Sequence, residues 1–232
     1  MSTAQILKTK QFVLSGSIAA GKTTLCRFFE KQGFCIYEEP AETNPLLALF
    51  YENMDKYAFP MQIYMLNRRL ESTEKIIKNG FGVQDRSIYE DKIFVNTLRR
   101  FGQFEEVLFE TYNDLFSNMT DRINFPDFFV FLSVKPEVCL ERIAKRGREC
   151  EKESVSIEYL SVLNEEYEKF IKDISTSVPV FWVDSDILKI DDNGASFIKL
   201  TNFIEKSLEQ GLSPGITNVG DLDVNSQTDP QE

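Results

Sequence analysis

The stretch "SGSIAAGKTTLCRFF", from Ser15 to Phe29, limits what this chain can fold into more than any other. Read from Gly16 it fits G-x-x-x-x-G-K-[ST], in which a glycine-rich turn points backbone N–H groups inward around phosphates, the lysine neutralises them and the hydroxyl serves a magnesium ion. The turn here is Gly16, Ser17, Ile18, Ala19, Ala20 and Gly21, followed by Lys22, Thr23 and Thr24. Its setting agrees with the pattern. Gln11 to Ser15 is a largely apolar run of strand length, and Lys22 to Lys31 carries Leu25, Phe28 and Phe29 at helical spacing. Strand, turn and helix N-terminus therefore follow in the order that aims a helix dipole at an anion. A nucleotide with its Mg²⁺ is the expected ligand, with Thr23 as the hydroxyl on the metal.

Apolar runs of strand length recur at Gln11 to Ser15, Phe34 to Tyr37, Phe81 to Gln84, Phe128 to Ser133 and Val178 to Val183, separated by helix-length segments. The alternation predicts an α/β fold with a five-stranded parallel sheet covered by helices on both faces. Ligands in such a sheet sit beyond the carboxyl ends of the strands. That rule selects Glu38, Glu39 and Pro40 after the second strand, Asp85, Arg86 and Ser87 after the third, and Lys135 and Pro136 after the fourth. Ser87 and Glu90 also read as a capping box, S-x-x-E, opening the next helix. The helix from Pro136 turns Cys139, Leu140 and Ile143 inward and sets Arg142 and Arg146 on another face, four residues apart. It runs into Gly147, Arg148 and the charged segment "GRECEKES", which reads either as a mobile arginine lid or as a solvated turn.

Composition excludes several classes of function. With 232 residues, 42% apolar and 12% aromatic, the chain suits one globular domain, expected over residues 1–209. Beyond Lys206 no basic residue follows while Glu209, Asp221, Asp223, Asp229 and Glu232 do, and residues 210–232 form an acidic tail expected to be disordered. A net charge of −11 argues against a nucleic-acid partner, which needs a basic footprint. No apolar run approaches the roughly 20 residues of a membrane span, and the first residues lack the apolar core of a signal peptide, so a soluble protein with no membrane partner is expected. The four cysteines, Cys26, Cys35, Cys139 and Cys150, form no C-x-x-C pair and there is no histidine, which points away from zinc and toward reduced thiols in the cytoplasm. Without histidine, any proton acceptor is a carboxylate or, failing that, a lysine, tyrosine or cysteine.

The segments "GSIAAGKTT", "EEP", "AFPMQIYMLNRR", "DRSIYED" and "RIAKRGRE" stand in one order, and together they resemble the deoxyribonucleoside kinase family, above all its deoxyadenosine and deoxyguanosine kinases. The resemblance runs from about Gln11 to Val183 and implies a P-loop kinase fold with an arginine-rich lid at about residues 142–154. It also implies transfer of the γ-phosphoryl of ATP, with Mg²⁺, to the 5′-hydroxyl of a deoxyribonucleoside, and a homodimer through the helices on either side of "DRS". The family's base falls on Glu39. Pro40 would hold that residue out of helical geometry at the strand end, and its neighbour Glu38 would point to the opposite face. By the same resemblance Lys22 acts at the phosphates, and Arg86 binds the 5′-oxygen and the transferring phosphoryl. Asp85 lies near Mg²⁺, where the family often has the longer glutamate. Arg142, Arg146 and Arg148 match the arginines that close over the donor.

Glu151 falls on the glutamate that bonds the 3′-hydroxyl, with Glu153 a competing assignment, and Tyr51 bonds the same hydroxyl. Gln62 is implied at the base edge, and Arg69, rather than its neighbour Arg68, is implied in a pair with Asp91. Gln62, Met65 and Arg69 share one helical face, opposite the apolar Ile63, Leu66, Leu70 and Ile77. Met61 stands where relatives often stack an aromatic ring. Deoxyadenosine is the expected first substrate, then deoxyguanosine or deoxycytidine, with thymidine poor. A thymidylate-like monophosphate kinase shares the phosphate turn and a D-R turn, but Glu39 would repel its acceptor's phosphate. A non-catalytic structural relative should have lost Lys22, Glu39 or Arg86, and this chain keeps all of them.

Overall fold

The structure, a computed structural model, describes residues 6–38, 44–147, 151, 154–186 and 194–220. Its elements follow in the order β1 (Gln11–Gly16), α1 (Lys22–Lys31), β2 (Ile36–Tyr37), α2 (Leu47–Glu52), α3 (Met54–Asn79) and β3 (Gly82–Asp85). One 3₁₀ turn (Leu7–Thr9) precedes β1, and another (Ile88–Glu90) leads into α4 (Asp91–Arg100), α5 (Glu106–Thr120), β4 (Phe128–Ser133), α6 (Pro136–Arg146), α7 (Ile157–Ile174), β5 (Pro179–Asp184), α8 (Ala195–Gln210) and β6 (Gly215–Val219).

The strands form one sheet in the order β2-β3-β1-β4-β5-β6, and every pairing is parallel. A parallel strand is covered on both faces and so reads as a continuous apolar run, as "FFVFLS" of β4 does. The chain leaves β1 toward β2 on one side and later reaches β4 on the other, so the crevice of this doubly wound sheet opens at the carboxyl end of β1.

Phenylalanine fills one face. The Phe12 ring lies flat on Phe128 with centroids 4.8 Å apart, and Phe29 from α1 meets Phe12 edge-on at 5.3 Å. Cys139 and Ile143 of α6 and Phe197, Leu200 and Ile204 of α8 close this layer. On the other face Val13, Phe129, Phe131 and Val180 pack against Ile93 and Phe94 of α4 and Leu163, Tyr167 and Ile171 of α7. Each such ring or aliphatic chain contributes roughly 1.5–3 kcal/mol on burial. A third cluster joins α2, α3, α4 and α5 beside the sheet.

The sheet has six strands where the sequence predicts five. The extra strand, β6, lies at residues 215–219 inside the segment expected to be a disordered tail, and it pairs with β5 from Pro179↔Gly215 to Val183↔Val219. Only its last residue, Val219, is buried, which is why no apolar run announces it. Among the described residues no helix is long and apolar enough to cross a membrane.

Candidate active site

The turn after β1 begins at a position only glycine can fill. Gly16 has φ +141°, and a Cβ there would stand 2.7 Å from the Leu132 carbonyl oxygen on β4. Ala19 adopts the left-handed region with φ 59°, uncommon for a residue with a Cβ and dependent on support from its surroundings. α1 starts at Lys22, as its sequence predicts. The Lys22 side chain is buried and folds back over the turn, its Nζ donating to the carbonyl oxygens of Gly16 and Ser17, each at 2.9 Å.

β3 lies beside β1 and brings the "DRS" residues to the same place. Thr23 Oγ1 donates to Asp85 Oδ2 at 3.2 Å. Arg86 carries φ 63°, a left-handed geometry that for a long side chain marks a position held by its surroundings. Its Nη2 donates to the Gly16 carbonyl at 3.3 Å, and its Nε to the hydroxyl of fully buried Tyr167 at 2.9 Å. The capping box is present in both halves, the Ser87 side chain accepting from the Glu90 N–H and the Glu90 carboxylate from the Ser87 N–H, and the Ser87 hydroxyl also donates to Glu90. Glu90 also accepts from Ser15 Oγ at 2.9 Å, tying the start of α4 to β1. Burial pushes the Glu90 carboxyl above its usual range, and the Arg86 charge opposes that rise.

A second group gathers on α3. Its N-terminus is capped by Asn53, whose side chain accepts from the Lys56 N–H. Met61, Gln62, Met65, Leu66 and Arg69 are buried, whereas Ile63 and Leu70 are half-buried and Ile77 is exposed. The polar line through Gln62 and Arg69 thus faces inward, and most of the apolar line opposite it does not. Arg69 can turn inward because Nη1 meets Oδ1 of Asp91, an aspartate with no exposed surface. Arg68, beside it, stays half exposed and pairs with Glu71 at 2.7 Å. The Arg69 and Arg86 guanidinium groups lie 5.5 and 4.9 Å from the centroid of one ring, Phe94. That ring joins the phosphate side of the site to the α3 side. Tyr112 on α5 is also fully buried there, and burial, then the charge of Asp91, pushes its phenol well up.

The remaining expected residues divide into two sets. Glu151 is buried and ion-paired with Arg146, and Tyr51 stands close by, since Ser154 Oγ donates to the Tyr51 carbonyl at 3.3 Å. Arg142 reaches the phosphate turn, where Nη1 donates to the carbonyls of Ala19 and Ala20, both at 3.3 Å. Glu39, Pro40, Arg148 and Glu153 lie outside the described residues, while Glu38 is exposed just past β2. Sequence reasoning passed over Ser15, Phe94, Tyr167 and Ser185, whose roles come from contacts far apart in the chain. It also passed over Asn44, which is buried with its amide toward the Met61 and Met65 sulfurs and its Oδ1 accepting from the Leu46 N–H at 2.9 Å. Asn44 had a local signal, because Asn-Pro dipeptides favour turns.

Comparison with known proteins agrees with this geometry. The family described as deoxynucleoside kinase matches residues 12–209. A deoxyadenosine kinase of Dictyostelium discoideum is 42% identical over 176 residues, covering 75% of this chain and 71% of that protein. A deoxyguanosine kinase of the same organism is 35% identical over 198 residues, covering 83% of this chain and 67% of that protein. Among solved structures, a deoxyadenosine kinase from M. mycoides with bound dCTP superposes with a TM-score of 0.74 at 30% identity, covering 84% of this chain and 99% of that one. The phosphate turn at the sheet's switch point, the "DRS" turn beside it and a family match spanning most of the chain lead to one conclusion: this chain belongs to the deoxynucleoside kinase family.

Proposed function

We propose that the chain transfers the γ-phosphoryl of ATP to the 5′-hydroxyl of a deoxyribonucleoside, with deoxyadenosine the first substrate and deoxyguanosine or deoxycytidine behind it. The observation that carries this reading is the Phe94 ring shared by Arg86 and Arg69, which sets a phosphate-side cation beside a buried polar pair suited to a base. Phosphoryl transfer depends mainly on positioning and on stabilising charge over the equatorial oxygens. Lys22 and Arg86, both bonded to the Gly16 carbonyl, would do this, and their shared position supports the reading. Glu39 is the proton acceptor on the 5′-hydroxyl, a role that the absence of histidine leaves to a carboxylate. Arg146 and Arg148 belong with the donor, and Glu151 and Tyr51 with the sugar's 3′-hydroxyl.

Mg²⁺ bound with the donor would neutralise charge on its phosphates. The Thr23 hydroxyl and the Asp85 carboxylate, 3.2 Å apart, are hard oxygen donors that fit this ion. Gln62 supplies an amide that can donate to and accept from the edge of adenine, a pairing that glutamine and asparagine make with adenine in DNA. Arg69 and Asp91 occupy the volume that the 5-methyl of thymine would need. The family resemblance supports a homodimer through α3 and α4, where Ile77 is exposed. The test is phosphorylation of four deoxynucleosides by ATP and Mg²⁺, with a deoxynucleoside monophosphate as control. Deoxyadenosine should give the highest kcat/KM. Turnover of the monophosphate alone would overturn the reading.

A further inference from the structure

The left-handed turn at Ala19 is braced from behind by a residue outside every motif of the site. Ser185 directly follows β5 and is 6% exposed. Its Oγ donates to the Ala20 carbonyl at 2.7 Å and accepts from Arg142 Nη1 at 2.8 Å, so the hydroxyl is engaged both as donor and as acceptor. Arg142 Nη2 donates to the Ser185 carbonyl at 2.9 Å, and the Ser185 N–H donates to the carbonyl of Ser133, the last residue of β4, at 2.8 Å. A continuous line of hydrogen bonds therefore runs from the ends of β4 and β5, through one serine, to the backbone of the phosphate turn. Arg142, anchored in α6, crosses the same line through its own bonds to the Ala19 and Ala20 carbonyls.

We propose that Ser185 is a positioning residue for the phosphate turn: together with Arg142 it holds the Ala20 carbonyl outward, so that the Gly21 N–H of the same peptide unit stays directed at the donor's phosphates, while the Ala20 N–H closes the turn on the Ser17 carbonyl. The proposal rests on the reading that a donor nucleotide binds in this turn. It also changes the role of Arg142, which the family pattern would set on the donor itself and which this geometry sets on the loop backbone. A peptide unit whose carbonyl is tied on one side cannot rotate its N–H away from the other, and the conformation at Ala19 is one that needs such a tie. Removing the hydroxyl leaves Arg142 in direct contact with both carbonyls, so the turn loosens without losing its fold.

Equilibrium titration with a fluorescent ATP analogue and Mg²⁺, alongside steady-state kinetics with deoxyadenosine, tests this in the full chain. Ser185→Ala should weaken nucleotide binding and raise the KM for ATP about tenfold, the equivalent of about 1.4 kcal/mol. The KM for deoxyadenosine and the Tm should stay near wild type, and Ser185→Thr, which keeps a hydroxyl, should restore most of the affinity. Combining Ser185→Ala with Arg142→Met should cost clearly less than the sum of the two single changes, because both act through one brace. Unchanged nucleotide affinity in Ser185→Ala, or additive losses in the double variant, would overturn the proposal. So would equal rises in both KM values with a fallen Tm, which would mark a merely structural serine. A wild type that binds the analogue with this Ser185 dependence but phosphorylates no deoxynucleoside would overturn the kinase reading and leave the brace standing. A wild type that binds no analogue would overturn both.

Discussion

The Nε of Arg86 donates to the hydroxyl of Tyr167 at 2.9 Å, linking the residue after β3 to the buried middle of α7. Tyr167 is itself fixed, with its ring edge-on to Phe94 at 6.2 Å and roughly parallel to Phe131 at 6.0 Å. A phenol held this way fixes the plane of the guanidinium. Tyr167→Phe keeps the ring and removes the acceptor, leaving Arg86 freer to rotate at the position proposed for the transferring phosphoryl. Its kcat should fall roughly ten- to a hundredfold, the effect of losing about 1.5–3 kcal/mol of hydrogen bonding to a charged group. The KM values should change little. Steady-state kinetics on the purified variant, with a thermal melt to check its fold, decide the point.

Lys22, proposed to supply charge at the donor's phosphates, is buried with its Nζ on two loop carbonyls. Lys22→Ala should abolish most phosphorylation, by about a thousandfold or more, while the far-ultraviolet spectrum and Tm stay close to wild type. A folded variant with normal turnover would show that the donor sits elsewhere.

The buried pair of Arg69 and Asp91 predicts a base preference that can be reversed. Breaking it on one side strands a charge, so Asp91→Ala alone should be strongly destabilising, whereas Arg69→Met with Asp91→Ala removes both charges together. The double variant should gain thymidine phosphorylation relative to deoxyadenosine, by about tenfold or more in the ratio of kcat/KM. A wild type that already prefers thymidine, or a ratio left untouched by the double change, would sink this assignment of the pocket.

Glu90 gives a pH signature in stability. Its carboxyl has a usual value near 4.5 and is pushed up in the folded protein by burial, so the folded state holds that proton more tightly than the unfolded chain does. The contribution is fully present below 4.5 and is lost as pH rises from there through the raised folded value. Relative to Glu90→Gln, the wild type should therefore lose stability with rising pH across that window. Urea unfolding of both proteins at stepped pH measures the difference, and curves that stay parallel would show that Glu90 ionises normally.

The parts of this molecule that were legible in the sequence are those whose physics is local. Five of the strand positions were plain because buried parallel strands are largely apolar, and the phosphate turn was plain because its glycine spacing is a short local pattern, even though the steric demand at Gly16 comes from Leu132 on β4. The inward face of α3 was harder to read. A guanidinium lies inside only because an aspartate 22 positions later meets it, so polarity along α3 misstates which face is buried. Ser185 and Ala20 are 165 residues apart, and Arg86 and Tyr167 are 81, so no window of sequence contains either pair. β6 was missed for the opposite reason: "GITNV" owes its conformation to the backbone of β5 rather than to its own side chains.

That dependence has a converse for β5. With β6 in place, that edge of the sheet is a short, mostly exposed strand followed in sequence by an acidic segment, the kind of border that discourages pairing with other chains. A protein trimmed at the end of α8 would instead present "PVFWVD", with Val180, Phe181 and Val183 almost fully buried in the intact fold, as an open apolar edge. Such a segment is a template for strand addition by a neighbouring molecule. By pairing with β5, residues 215–219 cover the edge beside the aromatic middle of the sheet, and their removal should raise the tendency to aggregate.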